Sequence, residues 1–197
     1  MNFEYNSPDL AFSNTLNMNL FRFHVAKTKE DAILVNKMFR ESKSFSKFKT
    51  MLYQHLQVID IDTLNKEYDY AVNVCSIASD YQRSIGQNKL FPFWKINFIK
   101  DREYPDEINL LDNIVLPATC DAWNYILPPN FLGDTSYITA MMDFEAKDID
   151  HTLMNERLQK FLLSDFWKKC TENGFGINRA IESLVLEENE KYLQLLK

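Results

Sequence analysis

The residues of this sequence best suited to chemistry are three histidines, three cysteines and one acid-rich run. His24, His55 and His151 are far apart, and none belongs to a His-x-x-x-His or His-Glu-x-x-His pattern. Zinc sites on helices draw on clustered ligands, so ordinary structural roles are expected for all three. Cys120 would need a histidine delivered by the fold to become a nucleophile, and a buried or half-buried thiol is the plainer expectation. Asp143, Glu145, Asp148 and Asp150 could offer oxygens to a hard cation, but the run lacks the glycine and terminal glutamate of an EF-hand loop. A solvated acidic edge is expected there. Tyr81, Gln82 and Arg83 with Lys89 and Lys95 form the one mildly basic-aromatic neighbourhood, far short of a nucleic-acid motif.

The elements that must position these residues follow from periodicity. The first 20 residues are polar and Asn-rich without a sustained period, and read as an irregular arm. Thr28 offers an N-cap, with Asp31 in the first turn and Ala32, Val35, Met38 and Phe39 at helical spacing. Ser44 caps a second helix with Phe45, Phe48, Leu52, Tyr53 and Leu56 as its face. The longest periodic segment runs from Asp62 to about Ile85 and stops at Gly86. Between Phe91 and Ile99 the period becomes two, with Trp94, Ile96 and Phe98 on one side, which predicts a strand. Ile114-Val115-Leu116 and Tyr137 to Phe144 predict two more. A helical period returns at Asp148 or Asp150 through Leu153, Leu158, Phe161, Leu162 and Phe166, and a last helix is predicted near Asn178 to Leu196. The fold class expected is α+β: N-terminal helices with a long central helix, a small mostly antiparallel sheet with a Pro/Trp-rich loop region, and C-terminal helices.

Composition narrows the function classes. The chain has 197 residues, 46% of them apolar, enough for one packed core. A formal charge of −6 removes any general attraction to phosphate backbones. Four glycines exclude a glycine-rich phosphate loop. No apolar run approaches membrane-spanning length, and the odd, scattered cysteines without a secretory leader predict a reducing, cytoplasmic setting. No cofactor and no metal is expected.

One stretch is unusual. Leu90 to Asp134 holds five of the six prolines and two of the three tryptophans. Within it, Phe91-Pro-Phe-Trp94, Asp101-Arg102, Pro105, Leu111-Asp112-Asn113-Ile-Val-Leu-Pro117, Trp123 and Pro128-Pro129-Asn130 follow one another in an order and spacing that resembles the signature of the phage Mu F-like head morphogenesis proteins, a minor capsid family. Upstream, Phe23-His-Val-Ala-Lys27-Thr28, Ser44-Phe45-Ser-Lys-Phe48 and Glu67-Tyr68-Asp-Tyr-Ala71 are similar to that family's opening and helix segments. The resemblance covers about residues 21 to 140.

Three departures accompany it. Glu107, or Ile108 after a shift of one residue, stands where the family has histidine. Asn113 replaces the glycine of the Leu-Asp-Gly turn, a change that positive φ tolerates better than most. Phe131 to Ser136 stands where the family has Cys-Arg-Cys.

The resemblance implies a Mu F-like α+β domain over residues 21–146, preceded by the arm at 1–20 and followed by a helical extension at 147–197 packed on the same core. It implies a phage or prophage minor head protein that binds the portal or inner capsid during head assembly, in the virion interior or the host cytoplasm, without an enzymatic step. DNA is the weaker partner expectation, given the negative charge. Trp94, Asp101, Arg102, Pro105, Pro117, Trp123, Pro128, Pro129 and Asn130 are then scaffold residues, fixing loop dihedrals and plugging the sheet edge against the central helix. The alternative is a toxin-like effector domain of the same family, which would require Asp101, Arg102, Glu107 and Asp121 to converge in a cleft.

Overall fold

A computed structural model of the chain describes residues 10–57, 60–99 and 104–181. Among these residues the chain is mixed α and β, with helices before and after the three strands of a small antiparallel sheet in chain order. Composition suggests one core; the chain instead divides into two compact units, one formed by residues 1–79 with 179–197 and the other by 80–178. These breaks fall neither at 20/21 nor at 146/147.

The first unit is helical. Helices α1 (Leu10–Met18), α2 (Lys29–Glu41), α3 (Phe45–Tyr53) and most of α4 (Ile61–Ile85) build it. Thr28 caps α2 through a reciprocal box, its Oγ1 accepting from the Asp31 N–H at 3.1 Å while Asp31 accepts from the Thr28 N–H. Ser44 caps α3, and Asp60 Oδ1 accepts from the Thr63 N–H at the start of α4. The apolar stripes then meet in an aromatic cluster: Phe23, Phe39 and Phe48 lie 5.0–6.0 Å apart by ring centroid, and Tyr68 lies 5.3 Å from Phe39 and 5.4 Å from Phe48. Each such pair adds about 0.5–1.5 kcal/mol beyond the area it buries.

Residues 10–18, expected to be irregular, form α1. Phe12 and Leu16 are buried, and Arg40 on α2 donates from Nε to the Leu16 carbonyl (3.2 Å) and from a terminal nitrogen to the Asn19 carbonyl (3.2 Å), satisfying groups at the helix end. Asn36, also on α2, exchanges two hydrogen bonds with the Phe21 main chain (2.7 and 2.8 Å) and so fixes the segment that follows α1.

The second unit starts within the last turns of α4 and holds the sheet. Strands β1 (Phe93–Asn97), β2 (Val115–Pro117) and β3 (Tyr137–Met141) are antiparallel in the order β2-β1-β3, with Trp94 opposite both Leu116 and Ala140. Trp94 and Ile96 point into the core, as the alternation predicts. A short helix α5 (Trp123–Ile126) follows β2, and α6 (His151–Leu162) packs against β2.

The single helical stretch expected to run to Glu172 is broken in two. α6 ends at Leu162, and Ser164 caps a new helix α7 (Asp165–Glu172) by accepting from the Trp167 N–H at 3.1 Å. On α6, Leu158 and Phe161 are buried as expected, while at the start of the stripe Met154 is buried in place of Leu153, which is 46% exposed. The last expected helix falls outside the described residues from position 182 onward. Among the described residues no helix is long and apolar enough to cross a membrane.

Candidate functional site

The Leu90–Asp134 stretch folds back on itself, and its rigid residues hold one another. Trp94 on β1 is fully buried, 5.0 Å from Tyr81 edge-to-face and 5.4 Å from Trp123. Trp123 opens α5 and donates its indole N–H to the Pro117 carbonyl at 2.9 Å. Pro117 ends β2 opposite Phe93. The neighbouring position Trp94 makes the ladder bonds of this strand pair, so the missing N–H of Pro117 faces away from β1 and removes no bond from the ladder. Its carbonyl, facing the same way, accepts from Trp123 and from the Cys120 N–H at 2.9 Å.

Pro105 precedes a 3-10 turn at Asp106–Leu110 and accepts from the Ile108 N–H at 2.9 Å. Asn113 has φ of 58°, a left-handed conformation that asparagine tolerates better than most side chains. Arg157 of α6 clamps this turn, donating to the Asn109 carbonyl (2.9 Å) and the Asp112 carbonyl (2.6 Å).

The end of the stretch is tied by a carboxylate that the sequence reading did not single out. Pro128, Pro129 and Asn130 are buried, and the Pro128–Pro129 peptide is cis. Asn130 donates its side-chain amide to the Ile126 carbonyl at 3.0 Å. Its main-chain N–H donates to Asp134 Oδ2 at 2.6 Å, and the Ser136 N–H donates to Asp134 Oδ1 at 2.8 Å. Asp134 is 2% exposed. Burial raises its pKa above the usual aspartate value, opposed by the hydrogen bonds from Ser136 and Asn130. Gly133, with φ of 89°, makes the turn that brings the carboxylate back. The nearby Cys170 thiol is pushed up to about 11, mainly by burial and further by the negative charge of Asp134.

A second buried carboxylate lies in the helical unit. Glu67 on α4 accepts from the His24 main-chain N–H with both oxygens (3.0 and 2.9 Å), and His24 Nδ1 lies 2.9 Å from Oε2. Burial raises the Glu67 pKa, with the His24 hydrogen bonds and the charges of His24 and Arg22 acting the other way. Such a carboxylate–imidazole pair orients a histidine for general-base work. Here the far nitrogen, Nε2, is buried without a hydrogen-bond partner among the described residues. What the pair does is tie the 23–26 turn to α4.

The remaining residues singled out from the sequence do not gather. His55 is exposed, and His151 is exposed and stacked on Phe93 at 5.3 Å. Cys120 is half-buried. Asp143, Glu145, Asp148 and Asp150 are all exposed, and among the described residues no group of three metal-ligating side chains converges. Glu107 is half-buried in the 3-10 turn and Asp121 is exposed before α5; Asp101 and Arg102 lie outside the described residues. A groove of about 650 Å³ beside α6 is lined by Leu110, Leu153, Glu156, Arg157, Lys160 and Leu163, among others, and includes neither Glu107 nor Asp121. Comparison with protein-family models, with curated proteins and with solved structures gives no match for this chain.

Proposed function

We propose that the chain is a phage or prophage minor head protein that acts in head assembly by binding the portal or the inner capsid, within the virion or in the host cytoplasm before it. The reading rests on the ordered residues from Phe91 to Asn130 that resemble the Mu F-like signature. The observation that carries it is the bond from the Trp123 indole to the Pro117 carbonyl, with Trp94 packed on Trp123. Signature positions 29 residues apart in sequence thus form one internal brace, as a scaffold role requires. Side chains committed to such a brace support a surface that binds rather than a centre that reacts. The negative charge favours protein over nucleic acid as the partner.

The test is a pulldown with the tagged full chain from cells assembling heads. Recovery of portal or capsid protein is the expected result. Recovery of neither overturns the proposal.

A further inference from the structure

The two outer strands of the sheet are finished differently, and the difference points to a binding edge. The direction of each main-chain group follows from the ladder. Ile96 donates its N–H to the Ile114 carbonyl (3.0 Å) and accepts from the Asn113 N–H (3.0 Å), and the Pro92 carbonyl accepts from the Ala118 N–H (2.8 Å). Even-numbered positions of β1 therefore face β2, and Phe93, Lys95 and Asn97 face β3. Their partners Met141, Thr139 and Tyr137 turn their polar groups inward to β1. By alternation, the N–H and C=O of Ile138 and of Ala140 point out of the sheet, and among the described residues no hydrogen bond occupies them.

Proteins blunt such an edge with Lys, Pro or a bulge when it is not used. The β2 edge has Pro117, whose outward carbonyl is already taken by the Trp123 indole, and α6 packs against this strand. The β3 edge, Tyr-Ile-Thr-Ala-Met, carries no charge and no proline; Tyr137 and Thr139 are exposed, Ala140 is half-buried and the Ile138 side chain packs inward. Beyond its end, Phe144 is 72% exposed beside the exposed acids Asp143, Glu145, Asp148 and Asp150.

We infer that β3 is a docking edge for an extended, cationic segment of a partner protein, which adds as a fourth strand through Ile138 and Ala140. Its Lys or Arg side chains lie toward the acids that follow Met141. Charge decides between a partner and a second copy of this chain. Each copy carries −6, so self-pairing brings like charges together, whereas a basic strand meets a complementary end. Main-chain bonds supply the attachment and the acids supply direction and selectivity. The inference stands independently of which assembly the partner belongs to.

The full chain is titrated with a ten-residue peptide alternating Lys with Val and Thr, and amide shifts are followed by NMR. The expected result is saturable movement and exchange protection of the Ile138 and Ala140 amides. The same peptide N-methylated at alternate positions keeps its charge but cannot pair, and is expected to bind at least about tenfold more weakly, as is an alternating Glu peptide. Ala140→Pro removes an outward N–H without touching the β1 ladder and is expected to lose binding to the same degree, with its circular dichroism unchanged. Asp143→Lys with Asp148→Lys is expected to weaken binding and flatten its salt dependence.

Equal binding of the N-methylated peptide, or no movement of the Ile138 and Ala140 amides in the native chain, overturns the inference. So does a dimer of the native chain that Ala140→Pro converts to monomer, because the occupant is then a second copy.

Discussion

Asp134 offers the sharpest test of how the proline-rich stretch is held. In Asp134→Ala, the N–H groups of Asn130 and Ser136 lose their acceptors inside the protein. An unsatisfied buried donor costs about 1–3 kcal/mol, so the pair costs about 2–6 kcal/mol. Removing a buried carboxylate returns part of this, and a net loss of about 2–4 kcal/mol is expected. Asp134→Asn keeps one acceptor oxygen and is expected to cost about 1–3 kcal/mol.

The pH dependence has a definite sign. Burial raises the Asp134 pKa in the folded protein, so the folded state holds this proton more tightly than the unfolded state. Its contribution is fully present below the unfolded value of about 3.9 and is lost as pH rises through the higher folded value. Wild type is therefore expected to exceed Asp134→Asn by the largest margin at the acid end of that window. Urea unfolding followed by tryptophan fluorescence measures this directly, since Trp94, Trp123 and Trp167 all belong to the same unit as Asp134. A loss below about 0.5 kcal/mol in Asp134→Ala, within the range of an ordinary surface change, refutes the reasoning. So does a margin over Asp134→Asn that does not change with pH.

Further predictions concern other local devices. Thr28→Ala removes the acceptor for the Asp31 N–H and is expected to cost about 0.5–2 kcal/mol, read by helical circular dichroism during unfolding. Gly133 and Gly176 both have positive φ, but an added Cβ meets nothing at Gly133, while at Gly176 it lies 3.0 Å from the Trp167 ring. Gly176→Ala is therefore expected to lower the melting temperature more than Gly133→Ala, and a reversed order contradicts the packing. Glu67→Ala strips the His24 N–H of its carboxylate and is expected to destabilise the helical unit by about 1–3 kcal/mol in denaturant titration, with Glu67→Gln falling between it and wild type.

What the sequence discloses here is mostly what neighbouring residues decide among themselves. Thr28, Ser44 and Asp150 announce the helices they cap because the acceptor and the donor it satisfies are three residues apart. The alternation around Trp94 discloses β1 because a strand buried on one face repeats every two residues. Asn113 is legible as a turn because few side chains tolerate its backbone conformation. Helix α1 is not legible, because its nine residues show little periodicity and its end is satisfied by Arg40, some 20 residues on. The break at Ser164 is masked by Phe161 and Phe166, which continue the apolar pattern across it. The Glu67–His24 pair escapes because its donor is brought by the fold, whereas Asp134 bonds donors only two and four residues away and escapes because its burial, not its bonding, is set by the fold. Glu67 and His24 are 43 positions apart.

The contrast between the two outer strands bears on arithmetic as well as on contact. Strand β2 is blunted at its outer edge by its proline and by the indole bonded to that proline's carbonyl. A sheet that can grow on both sides links molecules into open-ended rows, because every addition exposes a new place to add. With β3 as the docking edge inferred above, this sheet has a valence of one among the described residues. A strand that adds to β3 as inferred meets, among the described residues, a blunted strand on the far side, so pairing there is expected to give a finite complex with a fixed ratio of components.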